Sequence, residues 1–169
     1  MVNIIRFIKH LFLPDWRLHL HFKKQQLQQI TTAIAESEKV HAGQIRFAVE
    51  ASLPLRDLLA GRSARERALD VFSQLRIWDT EHNNGVLIYF LLSDNDFEII
   101  VDRGLTAKFD PRVWQAIADS METHCKSDDY VGAVLVGILT VTQLQARYFS
   151  RSGASTNELA DEPVILDGH

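Results

Sequence analysis

The residues that can do chemistry gather in the stretch W-D-T-E-H-N-N-G-V-L-I-Y-F-L-L-S-D-N-D-F-E-I-I-V-D-R-G, residues 78–104. Asp79, Glu81, Asn83 and Asp102 offer carboxylate and amide oxygens, and Asn84 and Arg103 stand beside them. Oxygen donors of this kind suit a hard cation such as Ca²⁺ or Mg²⁺, which takes six to eight oxygens in the first case and near-octahedral geometry in the second. A second polar set is Glu50, Ser52, Asp94 and Asp96. Each residue also has a structural role open to it. Asp79 can cap a turn, and Asn83 and Asn84 can take the left-handed turn before Gly85. Asp102 and Arg103 can pair with each other or serve the next helix. Asp94-Asn95-Asp96 begins like a calcium loop but lacks the glycine and closing glutamate at their spacing, and it reads as a plain turn.

Other chemistry is thin. There is no G-x-G-x-x-G, no phosphate-binding G-x-x-x-x-G-K and no H-E-x-x-H. No serine sits in a nucleophile elbow. His124 and Cys125 are adjacent, and neighbours on a helix point apart, so they make no dyad. The single cysteine excludes an internal disulfide and points to a reducing compartment. The catalytic residues are therefore unknown at this level.

Two strands must carry the polar sets. Val86–Leu92 is a continuous apolar run, the pattern of a strand buried on both faces. Phe97–Val101 follows a turn, predicting a hairpin. Before them, Q-I-R-F-A-V-E (44–50) alternates as a first strand. Ser63 and Glu66 form a capping box, and Ala64, Ala68, Val71, Phe72 and Leu75 follow at helical spacing. A helix also spans Phe22 to Val40. Residues 51–62 read as a loop. Asp110 caps a helix that opens with Pro111, and Asp129 to about Phe149 is a last helix whose segment Val131–Val141 is apolar nearly all round. A strand–helix–strand unit makes the first two strands parallel by a right-handed crossover, with the third returning antiparallel. The expected fold is a three-layer α/β/α sandwich with a small mixed sheet.

The termini differ in charge. Residues 1–24 carry +4, while the remainder carries −8. The acidic body argues against a nucleic-acid partner, and the basic head suits an anionic surface such as the inner leaflet. In residues 1–13, Ile4, Ile5, Ile8, Leu11 and Phe12 share one helical face opposite Asn3, Arg6, Lys9 and His10. The run is too short to span a bilayer, and Pro14 and Asp15 end it. It is either a terminal helix packed on its own domain or on a second copy, or an interfacial helix. Residues 1–24 thus read as a basic amphipathic segment, 25–149 as the domain, and 150–169 as a mobile polar tail.

The Q-I-R-F-A-V strand, the helix ending near Trp78, N-N-G-V-L-I-Y, E-I-I-V-D-R-G-L and D-D-Y-V-G together resemble the TPM domain over roughly residues 26–147. The resemblance implies an α/β/α sandwich that often binds divalent cations, with weak acid phosphatase activity in some members. Gln44 stands where other forms often have Glu. The short form resembles cytoplasmic members encoded beside LemA-type membrane proteins, so cytoplasmic location with membrane association is the expectation. The general rule for open α/β sheets favours the end with Glu50, Ser52, Asp94 and Asp96. The resemblance favours the other end, which also carries His82 and Asp110, and there the preferred residues are the six Asp79, Glu81, Asn83, Asn84, Asp102 and Arg103. The expected function is weak divalent-cation binding with docking to a membrane-associated partner or inner-leaflet surface through residues 1–13. The alternative is a metal-dependent acid phosphatase in which Arg103 grips a phosphoester.

Overall fold

The computed structural model describes residues 4–14, 16–150 and 156–166. Asp15, residues 1–3, 151–155 and 167–169, which carry parts of the predicted head and tail, lie outside the described residues. The elements in chain order are α1 (Ile4–Phe12), α2 (Trp16–His21), α3 (Lys24–Glu38), β1 (Gln44–Glu50), α4 (Leu55–Leu59), α5 (Ala64–Gln74), β2 (Gly85–Leu91), β3 (Asp96–Val101), α6 (Arg103–Thr106), α7 (Pro111–Cys125), α8 (Tyr130–Tyr148) and β4 (Val164–Leu166).

The sheet order is β3-β2-β1-β4, with β1 parallel to β2 and β4, and β3 antiparallel to β2. Alternation along the strands divides the core in two. Ile45, Phe47, Val49, Val86, Ile88 and Phe90 pack against α3, α7 and α8. Ala48, Leu87, Tyr89 and Leu91 pack against Ala64, Ala68, Val71 and Phe72 of α5. The fold is thus a mixed α/β/α sandwich, and β2 is buried along its whole length as its apolar run predicts.

Local signals behave as their chemistry dictates. Ser63 accepts from the Glu66 amide and Glu66 reaches back to the Ser63 amide, closing the capping box of α5. Asp110 caps α7 ahead of Pro111, and Asp129 caps α8. The segment 51–62, expected as a loop, contains the short α4, started by Pro54.

The tail is a correction. Residues 156–166 lie along β1, and β4 pairs with Ala48–Glu50. Gln44 Oε1 accepts the amides of Glu158 and Leu159 at 2.9 and 2.8 Å, and the Arg46 guanidinium donates to the Ala160 carbonyl. Leu159, Val164 and Leu166 add to the α5-side core. A polar tail is held because it covers the backbone edge that β1 would otherwise expose.

Candidate functional site

The amino end of the parallel strands holds the residues preferred from sequence. Of the six, Asn83, Asn84, Asp102 and Arg103 are tied to one another or to the turn. Asn83 takes φ +51, and its Oδ1 accepts from Arg103 Nε at 2.9 Å. Gly104 donates its amide to the Asn83 carbonyl at 2.9 Å. A Cβ on Gly104 would stand 2.5 Å from that carbonyl oxygen, so the D-R-G turn needs glycine for close approach. Asp79 and Glu81 stand apart from this group in their bonding. Asp79 is exposed and pairs with Arg76 at 2.6 Å. Glu81 is exposed, and its amide bonds the Glu158 carboxylate.

Asp102 and Asn84 adjoin, because the Asp102 amide donates to the carbonyl of Gly85, next to Asn84. Asp102 Oδ1 caps α6 on the Arg103 amide at 2.7 Å. Its Oδ2 is buried without a partner. Asn84 Nδ2 donates to the Ala42 carbonyl at 3.1 Å, and Asn84 Oδ1 is likewise buried without a partner. Gln145 donates to the Asn84 carbonyl, and its Oε1 is a third buried oxygen without a partner. Buried polar atoms are nearly always bonded, so these three oxygens stand out among the described residues. Nearby, burial pushes the His41 imidazole down to about 4, so it is neutral at pH 7. Among the described residues, no group of three or more histidine, cysteine or acidic side chains is placed to hold a metal ion.

The carboxyl end holds a different arrangement that sequence reasoning missed in part. Glu50, fully buried at the end of β1, accepts from Arg67 Nε and Nη2 at 2.9 and 2.8 Å. Tyr89 donates its hydroxyl to Glu50 at 2.6 Å. Burial, then the Glu50 charge, pushes the Tyr89 phenol far up, so it remains a donor. The hydrogen bond to Glu50 raises the Arg67 guanidinium further. Arg67 occupies a buried-face position of α5 between Ala64 and Ala68, an anomaly that marks it in the sequence. Asp96 stands at the start of β3, where burial and then Glu98 and Glu122 raise its carboxyl to about 7. Burial raises the Cys125 thiol to about 11, which removes it as a nucleophile at neutral pH.

α1 docks over this end through its polar side. Arg6 Nε bonds Asp94 Oδ2 at 2.9 Å, and Arg6 Nη1 donates to the Arg62 carbonyl at 2.8 Å. His10 is buried; Nε2 bonds Asp94 Oδ1 at 3.0 Å, and Nδ1 accepts the Leu53 amide at 3.0 Å. Ser93 Oγ also lies 3.0 Å from His10 Nε2. Burial pushes the Asp94 carboxyl up, but the bonds from His10 and Arg6 hold it below the usual range. With the polar side inward, Ile4 is 74% exposed and Phe12 75%, and Ile5, Ile8 and Leu11 are exposed too. Leu55 and Leu59 of α4 and Trp16 and Leu20 of α2 are exposed as well. Lys9 and Arg17 line one groove with Ile8 and Phe12.

The layered sheet and its two polar ends define a small α/β/α domain whose N-N-G and D-R-G turns interlock at one end. The chain belongs to the TPM domain family, whose sequence model matches residues 21–144. Among solved structures it is similar to the BA42 protein of the psychrophilic bacterium Bizionia argentinensis, with TM-score 0.74 and 24% identity over 92% of this chain and 96% of that one. It is also similar to the N-terminal domain of a protein from P. gingivalis, with TM-score 0.60 and 18% identity over 79% of this chain and 83% of that one. Both likenesses are of fold. No curated protein matches the chain. Among the described residues, no helix is long and apolar enough to cross a membrane.

Proposed function

We propose that this TPM domain is a docking module that settles on an anionic membrane surface through α1 and carries a weak divalent-cation site at the opposite strand ends. The observation that supports docking is the orientation of α1. An amphipathic helix on a globular domain normally buries its apolar stripe. Here Arg6 and His10 are the inward residues, and the isoleucine and phenylalanine side faces out. An exposed apolar helix face flanked by lysine and arginine is the pattern of an interfacial helix, drawn to anionic lipid and seated by apolar burial. The phosphatase reading gains less support, because Arg103 Nε is engaged by Asn83 and Asp79 by Arg76.

Flotation with vesicles tests docking. The full chain is expected to bind vesicles containing about one-third phosphatidylglycerol and to bind pure phosphatidylcholine vesicles at least about tenfold more weakly. Ile8→Asp with Phe12→Asp is expected to weaken binding to the anionic vesicles by more than about tenfold, since each side chain contributes on the order of 1.5–3 kcal/mol when buried. Both positions are exposed, so the fold is retained. Absence of binding to either vesicle would discard the lipid surface and leave a protein, such as a LemA-type membrane protein, as the partner to test.

The cation belongs to Asp102 and Asn84, whose unpartnered oxygens motivate it. Calorimetric titration of chelator-treated protein is expected to show saturable Ca²⁺ or Mg²⁺ binding. Asp102→Asn keeps a helix-capping side chain but removes the charge, and it is expected to weaken that binding about tenfold or more. Asp79→Asn is expected to leave it unchanged. Binding equal to wild type in Asp102→Asn would move the cation away from this end.

A further inference from the structure

Beside the exposed face of α1 lies a groove of about 470 Å³, walled by α1, α2, the β2–β3 turn and the start of α8. That turn follows the carboxyl end of β2, where open α/β sheets usually place their ligands. Tyr130 lines the groove and is only 6% exposed. The His21 ring stands edge-on to it, with centroids 4.6 Å apart and planes at 80°. The Tyr130 hydroxyl donates to Asp128 Oδ1 at 3.1 Å. Burial and then that bond push the Tyr130 phenol up to about 12, while the charge of Arg17 pulls it down, so the guanidinium lies within electrostatic reach of this wall.

The cations of the groove are the ones that folding leaves over. Arg6 is committed to Asp94. Lys9 and Arg17 are exposed, and among the described residues neither makes an ion pair. Asp128 is the one carboxylate among the described residues that line the groove, and its Oδ1 is already engaged by Tyr130. Two cations against one carboxylate leave the groove at +1, on a chain whose residues 25–169 carry −8. A phosphodiester matches that charge and has two unesterified oxygens to share between an ammonium and a guanidinium. The rim is apolar. Ile8 is 50% exposed and Phe12 75%, and both belong to the outward face of α1. A free phosphate makes no use of such a rim, whereas acyl chains bury it.

We propose that this groove holds the headgroup of a single anionic phospholipid, its phosphodiester oxygens bonded by Lys9 and Arg17 and its acyl chains leaving over Ile8 and Phe12. The site rests on the docking of α1 to a lipid surface proposed above, and it gives that docking a one-to-one lipid ligand.

The test titrates the full chain with dihexanoyl phosphatidylglycerol below its micelle concentration, so that no membrane surface is present. Saturable one-to-one binding is expected by calorimetry, with amide shifts at Asn95 and Tyr130 in ¹H–¹⁵N spectra. Lys9→Gln with Arg17→Gln, both at exposed positions, is expected to weaken binding about tenfold or more, since two charge-assisted bonds are lost. Lys23→Gln with Lys24→Gln removes the same charge from exposed positions outside the groove and is expected to leave the affinity at the wild-type value. Dihexanoyl phosphatidylcholine, with no net charge, and glycerol 3-phosphate, with no acyl chains, are each expected to bind about tenfold more weakly. Equal losses in the two double variants would overturn the groove in favour of general charge attraction. Equal binding of glycerol 3-phosphate would overturn the lipid in favour of a free phosphoester. Vesicle flotation without saturable binding of the short-chain lipid would overturn the groove and leave the docking of α1 standing. Saturable binding without flotation would support the groove and overturn the docking.

Discussion

Glu50→Ala is expected to destabilise the domain by about 3–5 kcal/mol, the cost of removing one partner of a buried ion pair. The loss is large against a total stability of roughly 5–15 kcal/mol. Wild-type Glu50 accepts two guanidinium bonds and one phenol bond with no access to solvent. Alanine removes the acceptor but leaves the Arg67 guanidinium in place, its side chain only 8% exposed, and leaves the Tyr89 hydroxyl buried. Desolvation of those groups was previously offset by the pair. Glu50→Met with Arg67→Leu is expected to recover most of the loss, because charge and counter-charge leave together. Urea denaturation at pH 7 with constant m-value reads the difference. Arg67 also lines the cavity beside Pro54 and Leu58, so a loss below about 1 kcal/mol in Glu50→Ala would mean that water from this cavity solvates the guanidinium.

Elements with local causes are legible in the sequence. The capping box of α5, Asp110-Pro111 at the start of α7 and the apolar run of β2 each name their structure from a few adjacent residues. What escapes is what depends on distant partners. Periodicity shows that α1 has an apolar side, but it cannot show which way that side faces. The answer lies in Asp94, 84 residues beyond His10 in the β2–β3 turn. β4 has only three residues, and its path is held by side chains of Gln44 and Arg46, read from sequence as ordinary members of a strand. Tyr89 lies within an apolar run, so its polar tip is hidden until Glu50 is placed beside it. The candidate cation end is half legible. Asp102 and Asn84 stand out by type and by their place at a strand end. Their unpartnered oxygens, and the pairing of Asp79 with Arg76, follow only from three-dimensional placement.

The glycine of N-N-G offers the second large effect and separates architecture from ligand chemistry in the same motif. Gly85→Ala is expected to cost about 3 kcal/mol, at the upper end for an added methyl in a packed site. A Cβ there would overlap the carbonyl oxygen of Ile77 and its Cγ2, and the oxygen is backbone that no rotamer change can remove. Relief requires β2 or the segment after α5 to shift. Gly85 also accepts the Asp102 amide, and Asn83 accepts the Gly104 amide, so a shift spreads to the start of α6. Gly61→Ala is the contrasting case. Gly61 has φ +70 with open space around its missing Cβ, so alanine meets only the left-handed backbone penalty of roughly 1–2 kcal/mol. Thermal denaturation of the two variants separates crowding from conformation. Equal losses would mean that the Ile77 segment yields freely. The same pair of variants bears on the cation. If Asn84 and Asp102 hold it, the displacement in Gly85→Ala reduces Ca²⁺ affinity beyond the loss of stability, measured below the melting temperature, whereas Gly61→Ala leaves that affinity at the wild-type value.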